Sequence, residues 1–234
     1  MSLADLVDDL VSANHILYNE GVVDGFGHVS VRHPDRPDRY LLARSLAPAV
    51  VKREDILEFD LDSNAVDARG ARPYLERFIH GEIYRARPDV HAVVHSHSPA
   101  VIPFSVTGTR LQPIFHLGGF LGAGAPIFEI RESGGLDTDM LIRTPDLGVA
   151  LAETLADAPY ALMRGHGSVA VGGSLKQAVY RAIYAEVNAR LQAEAGRLGD
   201  ITFLNTAEAA HAAATNDEVL DRPWALWKMR VADW

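Results

Sequence analysis

The chain has 234 residues, 48% of them hydrophobic, which suffices for one domain spanning residues 1–234 with a sizeable core. It has no cysteine, which excludes disulfides and thiolate ligands, so any bound metal must rest on His, Asp or Glu. A net charge of −9 excludes the concentrated basic face that nucleic acid requires, and no apolar run reaches the roughly 20 residues of a membrane span.

The first residues, Met1-Ser2-Leu3-Ala4-Asp5, lack the basic segment of a signal peptide, and a cytoplasmic location is expected. Leu3, Leu6, Val7, Leu10, Ala13 and Leu17 recur at helical spacing, with Ser2 and Asp5 forming a cap, and this helix ends near Gly21. Residues 28–32 alternate as a half-buried strand that points His28, Ser30 and Arg32 one way and its valines the other. Pro34 to Asp38 is a turn and Tyr40-Leu41-Leu42 a partner strand. The run Lys52-Arg53-Glu54-Asp55 reads as a solvated surface segment.

From Pro73, apolar Leu75, Phe78, Ile79, Ile83 and Ala86 mark a helix that stops at Pro88, with Glu76 in its first turn. The acid there fits a helix dipole as well as a chemical role. His80 lies one turn later and reads as a helix-surface residue. Val90-His91-Ala92-Val93-Val94 is a buried strand leading into His95-Ser96-His97. Residues two apart on a strand share a face, so His95 and His97 aim two imidazoles at one point. That is the start of a site for a first-row divalent metal, and it equally fits two unrelated polar residues at a strand end.

Ser98-Pro99 reads as the opening of another helix. A Gly-rich region follows around 118–124, with His116 just before it as a pocket wall or a buried histidine. Ala161-Leu162-Met163-Arg164 is a short strand broken at Gly165-His166-Gly167, a tight turn or a point of close approach. A long helix runs from Ser174 to about Arg197. The tail is polar and Ala-rich up to Trp224-Ala225-Leu226-Trp227, an apolar patch that must be covered by the chain's own body or, preferably on this reading, by a neighbouring subunit. Strands and helices alternate without regular βαβ units. The fold expected is a three-layer α/β/α sandwich with a mixed, mostly antiparallel sheet.

The segment from Pro73 to Pro99, the Arg164-Gly165-His166-Gly167 turn, Gly27-His28-Val29-Ser30-Val31-Arg32 and the Asp55-Ile56-Leu57 region together resemble the class II aldolase/adducin family, over about Leu3 to Arg197. The resemblance implies that His95, His97 and His166 bind one divalent metal ion, Mn2+ or Zn2+, and that Glu76 is the catalytic acid/base. It also implies the sandwich fold and a homo-oligomer, commonly a tetramer, with sites between subunits.

The sugar-phosphate aldolases of that family hold phosphate with a Gly-Asn motif, a Thr-Gly motif and a Ser pair before the catalytic Glu. Here those places read Gly27-His28, Arg44-Ser45 and Tyr74-Leu75, which removes hydroxyl donors and fills their volume. His28 and Arg44 instead suit a carboxylate, Tyr74 suits a flat ring, and Arg164 is placed for a second carboxylate or a structural ion pair. Ser30 and Ser45 complete the expected substrate-binding set.

Decarboxylation and retro-aldol cleavage both pass through an enolate-like species that a divalent metal stabilises. The expected substrate is therefore a small carboxylate, a hydroxylated pyridine or benzene dicarboxylate such as 3-hydroxy-2-methylpyridine-4,5-dicarboxylate, a compound of vitamin B6 breakdown. The alternatives are aldol cleavage of a non-phosphorylated hydroxy acid or sugar, and a non-catalytic adducin-like binding module.

Overall fold

The computed structural model describes residues 2–234. Helix α1 (Leu3–Asn19) opens on the expected cap: Ser2 Oγ accepts from the Asp5 N–H while the Asp5 carboxylate accepts from the Ser2 N–H. Strands β1 (His28–Arg32), β2 (Arg39–Ala43) and β3 (Ile56–Asp60) form an antiparallel meander, with Ser30 opposite Leu42 and Leu42 opposite Leu57. After α2 (Phe78–Ala86) comes β4 (Ala92–Ser96), then the single turn α3 (Ile102–Ser105). Next stand β5 (Ile127–Phe128), α4 (Arg131–Gly134), α5 (Pro145–Leu155), β6 (Tyr160–Met163) and β7 (Gly167–Gly172). The chain closes with α6 (Leu175–Leu198), α7 (Thr206–Asp217) and α8 (Asp221–Arg230).

The seven strands lie in the order β3-β2-β1-β4-β7-β6-β5, antiparallel throughout except for β5 beside β6. The alternating strand residues split into two cores. Val29, Val31, Val94 and Ala170 pack under α1, α6 and α8, while Val93, Val169 and Val171 pack under α2 and α5. This is the expected three-layer sandwich. No helix among the described residues is long and apolar enough to cross a membrane.

Several local expectations change. All five residues of β1 are buried, because helices cover both of its faces. Asp55 is buried rather than solvated, accepting from the Lys52 N–H and from Arg44. No helix starts at Pro99, and Ser98 Oγ donates to the Glu186 carboxylate of α6 instead of capping. His116 is exposed, neither wall nor core.

The Ala-rich tail is helical as α7, since its cap depends on Asn205 and Glu208 exchanging bonds, a signal weaker than hydrophobic periodicity. Trp224 and Trp227 are buried against their own chain, the latter with its ring 6.3 Å from Tyr184 of α6. The expectation that a neighbouring subunit covers them is thereby corrected.

One glycine couples the sheet to the site. A Cβ on Gly167 would stand 2.0 Å from the Ser96 carbonyl oxygen, so only glycine lets the β6–β7 turn press against the end of β4. Gly167→Ala is expected to cost ~3 kcal/mol, a fall of roughly 6–12 °C in Tm. An unshifted melting curve would show that the backbone yields there without strain.

Candidate metal centre

The site is assembled from four segments that the sheet order brings together. Glu76 sits in the turn before α2, two residues ahead of Phe78 and so outside the helix whose first turn it was expected to occupy, with Ile79 N–H bonding back to its carbonyl. His95 is in the last turn of pleat of β4 and His97 follows just beyond it. His166 tops the three-residue turn between β6 and β7, where Gly165 adopts φ +61°.

The Nε2 atoms of His95 and His97 are 3.2 Å apart, and those of His97 and His166 3.0 Å. Glu76 Oε2 lies 3.6 Å from His95 Nε2 and 3.5 Å from His166 Nε2. All four ligand atoms fall within 4.8 Å of one another. Donors on a tetrahedral ion with metal–nitrogen bonds near 2.0–2.1 Å stand ~3.3 Å apart, so these spacings fit a divalent ion.

The donor chemistry agrees. His95 Nδ1 is 3.1 Å from the Ser168 carbonyl, which only accepts, so Nδ1 carries the proton and Nε2 turns a lone pair inward. Burial, followed by the nearness of His95 and His166, pushes His97 down to about 4, leaving it neutral. The three imidazoles converge through Nε2 on one point beside the Glu76 carboxylate, the donor set a divalent cation would share. His166 Nδ1 is buried without a partner, so no hydrogen bond behind the ring orients it. Burial pushes the Glu76 carboxyl up, but His166 and His95 outweigh it and hold the group well below the usual carboxylate range. Its other oxygen accepts from the Ile142 N–H at 2.9 Å.

A cleft of about 520 Å³ opens beside the cluster, lined by Glu76 and His97 and walled by Phe26, Leu46, Tyr74 and Leu75. Neither lysine nor arginine lines it among the described residues. His28 and Ser45, two of the expected substrate-binding residues, line it. Tyr74 does too: its ring lies 4.6 Å from that of His28, its hydroxyl donates to the Leu46 carbonyl, and burial pushes the phenol up to about 12.

Three expected substrate contacts are placed elsewhere. Arg44 Nε is 2.6 Å from Asp55, an ion pair at the edge of the meander and not in the cleft wall. Arg164 Nε pairs with Glu129 at 2.7 Å, the contact of the structural ion pair that was one of its two expected roles. Ser30 is fully buried, its hydroxyl between His80 and Tyr84. His80, expected on a helix surface, is fully buried, with Nε2 2.6 Å from His28 Nδ1. Its spacing to Tyr84 (i, i+4) was the available signal that this helix face meets β1. The backbone of Ile142 and the aromatic rim at Phe26 carried no sequence signal.

These positions set an expected result. Arg44→Ala should raise KM for a dicarboxylate and for the matching monocarboxylate by similar factors, because its Nε is tied to Asp55 and the side chain is not in the cleft wall. A rise confined to the dicarboxylate would put Arg44 on the substrate.

The sequence profile of the "Class II Aldolase and Adducin N-terminal domain" matches residues 8–193. The chain is 39% identical to "Decarboxylase tropJ" of Talaromyces stipitatus, over 96% of this chain and 93% of that protein. It is 31% identical to the 3,4-dihydroxyphthalate decarboxylase of Arthrobacter keyseri, over 84% and 82% of the two chains. Its fold superposes on L-fuculose 1-phosphate aldolase from Glaciozyma antarctica with a TM-score of 0.79 at 22% identity, covering 98% of this chain and 91% of that one. The chain belongs to the class II aldolase/adducin family.

Proposed function

We propose that this member of the class II aldolase/adducin family is a divalent-metal-dependent decarboxylase of a hydroxylated aromatic dicarboxylate, a dihydroxyphthalate or 3-hydroxy-2-methylpyridine-4,5-dicarboxylate being the kind of compound meant. The observation that carries this reading is the cleft wall of Phe26, Leu46, Tyr74 and Leu75 beside the His–Glu cluster, with neither lysine nor arginine among the described lining residues. Such a wall accepts a flat ring and lacks the lysine or arginine that would neutralise a phosphate dianion. Two relatives named as decarboxylases, one for a dihydroxyphthalate, support the same chemistry.

His95, His97 and His166 would hold the metal, and a set of imidazoles with a nearby carboxylate suits zinc or manganese. When bound, the ion supplies Lewis acidity toward adjacent hydroxyl and carboxylate oxygens. Glu76, held ionised, takes the ring hydroxyl proton. The oxygen's charge then moves onto the ring carbon bearing the carboxylate, and Glu76 returns its proton to that carbon. The carbon–carboxylate bond breaks, its electron pair restores the aromatic ring, and CO2 leaves. The buried flank of β4 and the aromatic rim keep bulk water from the transferred proton.

The test is CO2 release across hydroxylated pyridine and benzene dicarboxylates, with aldehyde detection run on hydroxy acids and sugars alongside. In heavy water the product should carry one deuterium at the carbon that lost CO2. Aldehyde without CO2 would assign the chain to aldol cleavage, and neither product together with no bound metal would assign it to a binding module.

A further inference from the structure

Behind the cleft, a line of buried polar groups runs from His28 into the layer between α2 and the sheet. His28 Nδ1 is 2.6 Å from His80 Nε2, His80 Nδ1 is 2.6 Å from Ser30 Oγ, and Ser30 Oγ is 2.8 Å from the Tyr84 hydroxyl. His80, Ser30 and Tyr84 are at most 1% exposed, and His28 alone reaches the cleft. Register explains the alignment: His28 and Ser30 share one face of β1, while His80 and Tyr84 share one face of α2.

Counting protons fixes the direction of this line. Four neutral groups bring four protons to three links, so one proton is left over, on Tyr84, on Ser30 or on His28; were Ser30 to accept from both neighbours, its own fully buried O–H would be the one stranded. If each group donates away from the cleft, the Tyr84 O–H is left over, and its neighbours other than Ser30 among the described residues offer it no acceptor: the Val93 backbone N–H at this oxygen is itself a donor. That would strand a buried donor. If each donates toward the cleft, Tyr84 gives to Ser30, Ser30 to His80 Nδ1, and His80 Nε2–H to His28 Nδ1. The remaining proton then sits on His28 Nε2, which has no partner among the described residues and belongs to a cleft-lining ring. Every buried donor is satisfied only in this second arrangement.

We infer that His80 and Ser30 are positioning residues that fix His28 as a neutral Nε2–H donor, which hydrogen-bonds an oxygen of the aromatic carboxylate in the cleft. The oxygen's identity rests on the decarboxylase reading, whereas the proton's position does not. A neutral donor grips an anionic oxygen without placing a cation next to three imidazoles that must themselves stay neutral.

Long-range proton–nitrogen NMR of the zinc-loaded protein, with 15N-labelled histidine, reads the tautomer directly. His28 and His80 signals are assigned by their loss in H28Q and H80Q. Both rings are expected to be protonated at Nε2 and bare at Nδ1. A proton on His28 Nδ1 overturns the inference, whether or not any compound releases CO2.

With a compound that does release CO2, H80F should lower kcat/KM by about 10–100-fold, mainly through KM, with metal content unchanged. H80Q, whose amide can still donate to His28 and accept from Ser30, should recover most of that loss. Equal kcat/KM in wild type, H80F and H80Q would remove His28 from substrate binding. If no compound releases CO2, the decarboxylase reading falls while the tautomer result still decides the arrangement.

Discussion

Glu76→Gln is expected to lower turnover by about 10²–10⁴-fold with the metal content unchanged. Glutamine keeps the size of the side chain and can still accept the Ile142 N–H bond at the Oε1 position, so the turn before α2 should hold. It cannot carry the proton between hydroxyl and ring carbon. The loss should appear in kcat, because a group that moves a proton acts in the transition state and contributes little to uniform binding. Metal analysis beside steady-state kinetics checks this. Wild-type kcat in the variant would move the proton transfer to another group, and loss of the metal would make Glu76 chiefly a ligand.

The second large effect concerns the metal itself. His95→Ala, His97→Ala and His166→Ala should each leave a folded protein that retains little metal and little activity. Each removes one of three converging imidazoles, and affinity should fall by more than the ~10–100-fold typical of losing a supporting outer residue. Because an ion bound only by the folded chain stabilises it by ~4 kcal/mol at a thousandfold excess over Kd, a chelator should lower the Tm of the wild type and leave that of His166→Ala nearly unmoved. Full metal occupancy in His166→Ala would take that residue out of the ligand set. The His166 variant is the most informative of the three, since the residue lies on a turn between strands and its Nδ1 has no partner to lose.

Much of this was legible in the chain because it depends on neighbours in sequence. The period of Leu6, Leu10, Ala13 and Leu17 set α1, the alternation at 28–32 set β1, and the apolar run before His95 set β4. The absence of cysteine restricted any bound metal to oxygen and nitrogen ligands, and the family resemblance, not the spacing alone, singled out His95, His97, His166 and Glu76. The substitutions at Tyr74 and Leu75 already argued against a phosphate.

What the sequence left open was decided by contacts between residues far apart along the chain. Arg44 was free to reach a carboxylate until Asp55 faced it across the meander, and Arg164 until Glu129 did. His80 seemed a surface residue because a helix shows its polar face only relative to what covers it, and here β1 covers it with His28 and Ser30. Trp224 and Trp227 required burial by their size alone, but only the packing of α8 on α1 and α6 determined that their own chain supplies it. Residue type and local period fix which groups can act and which elements form. Which partner each polar group meets depends on the order in which the sheet sets its strands side by side.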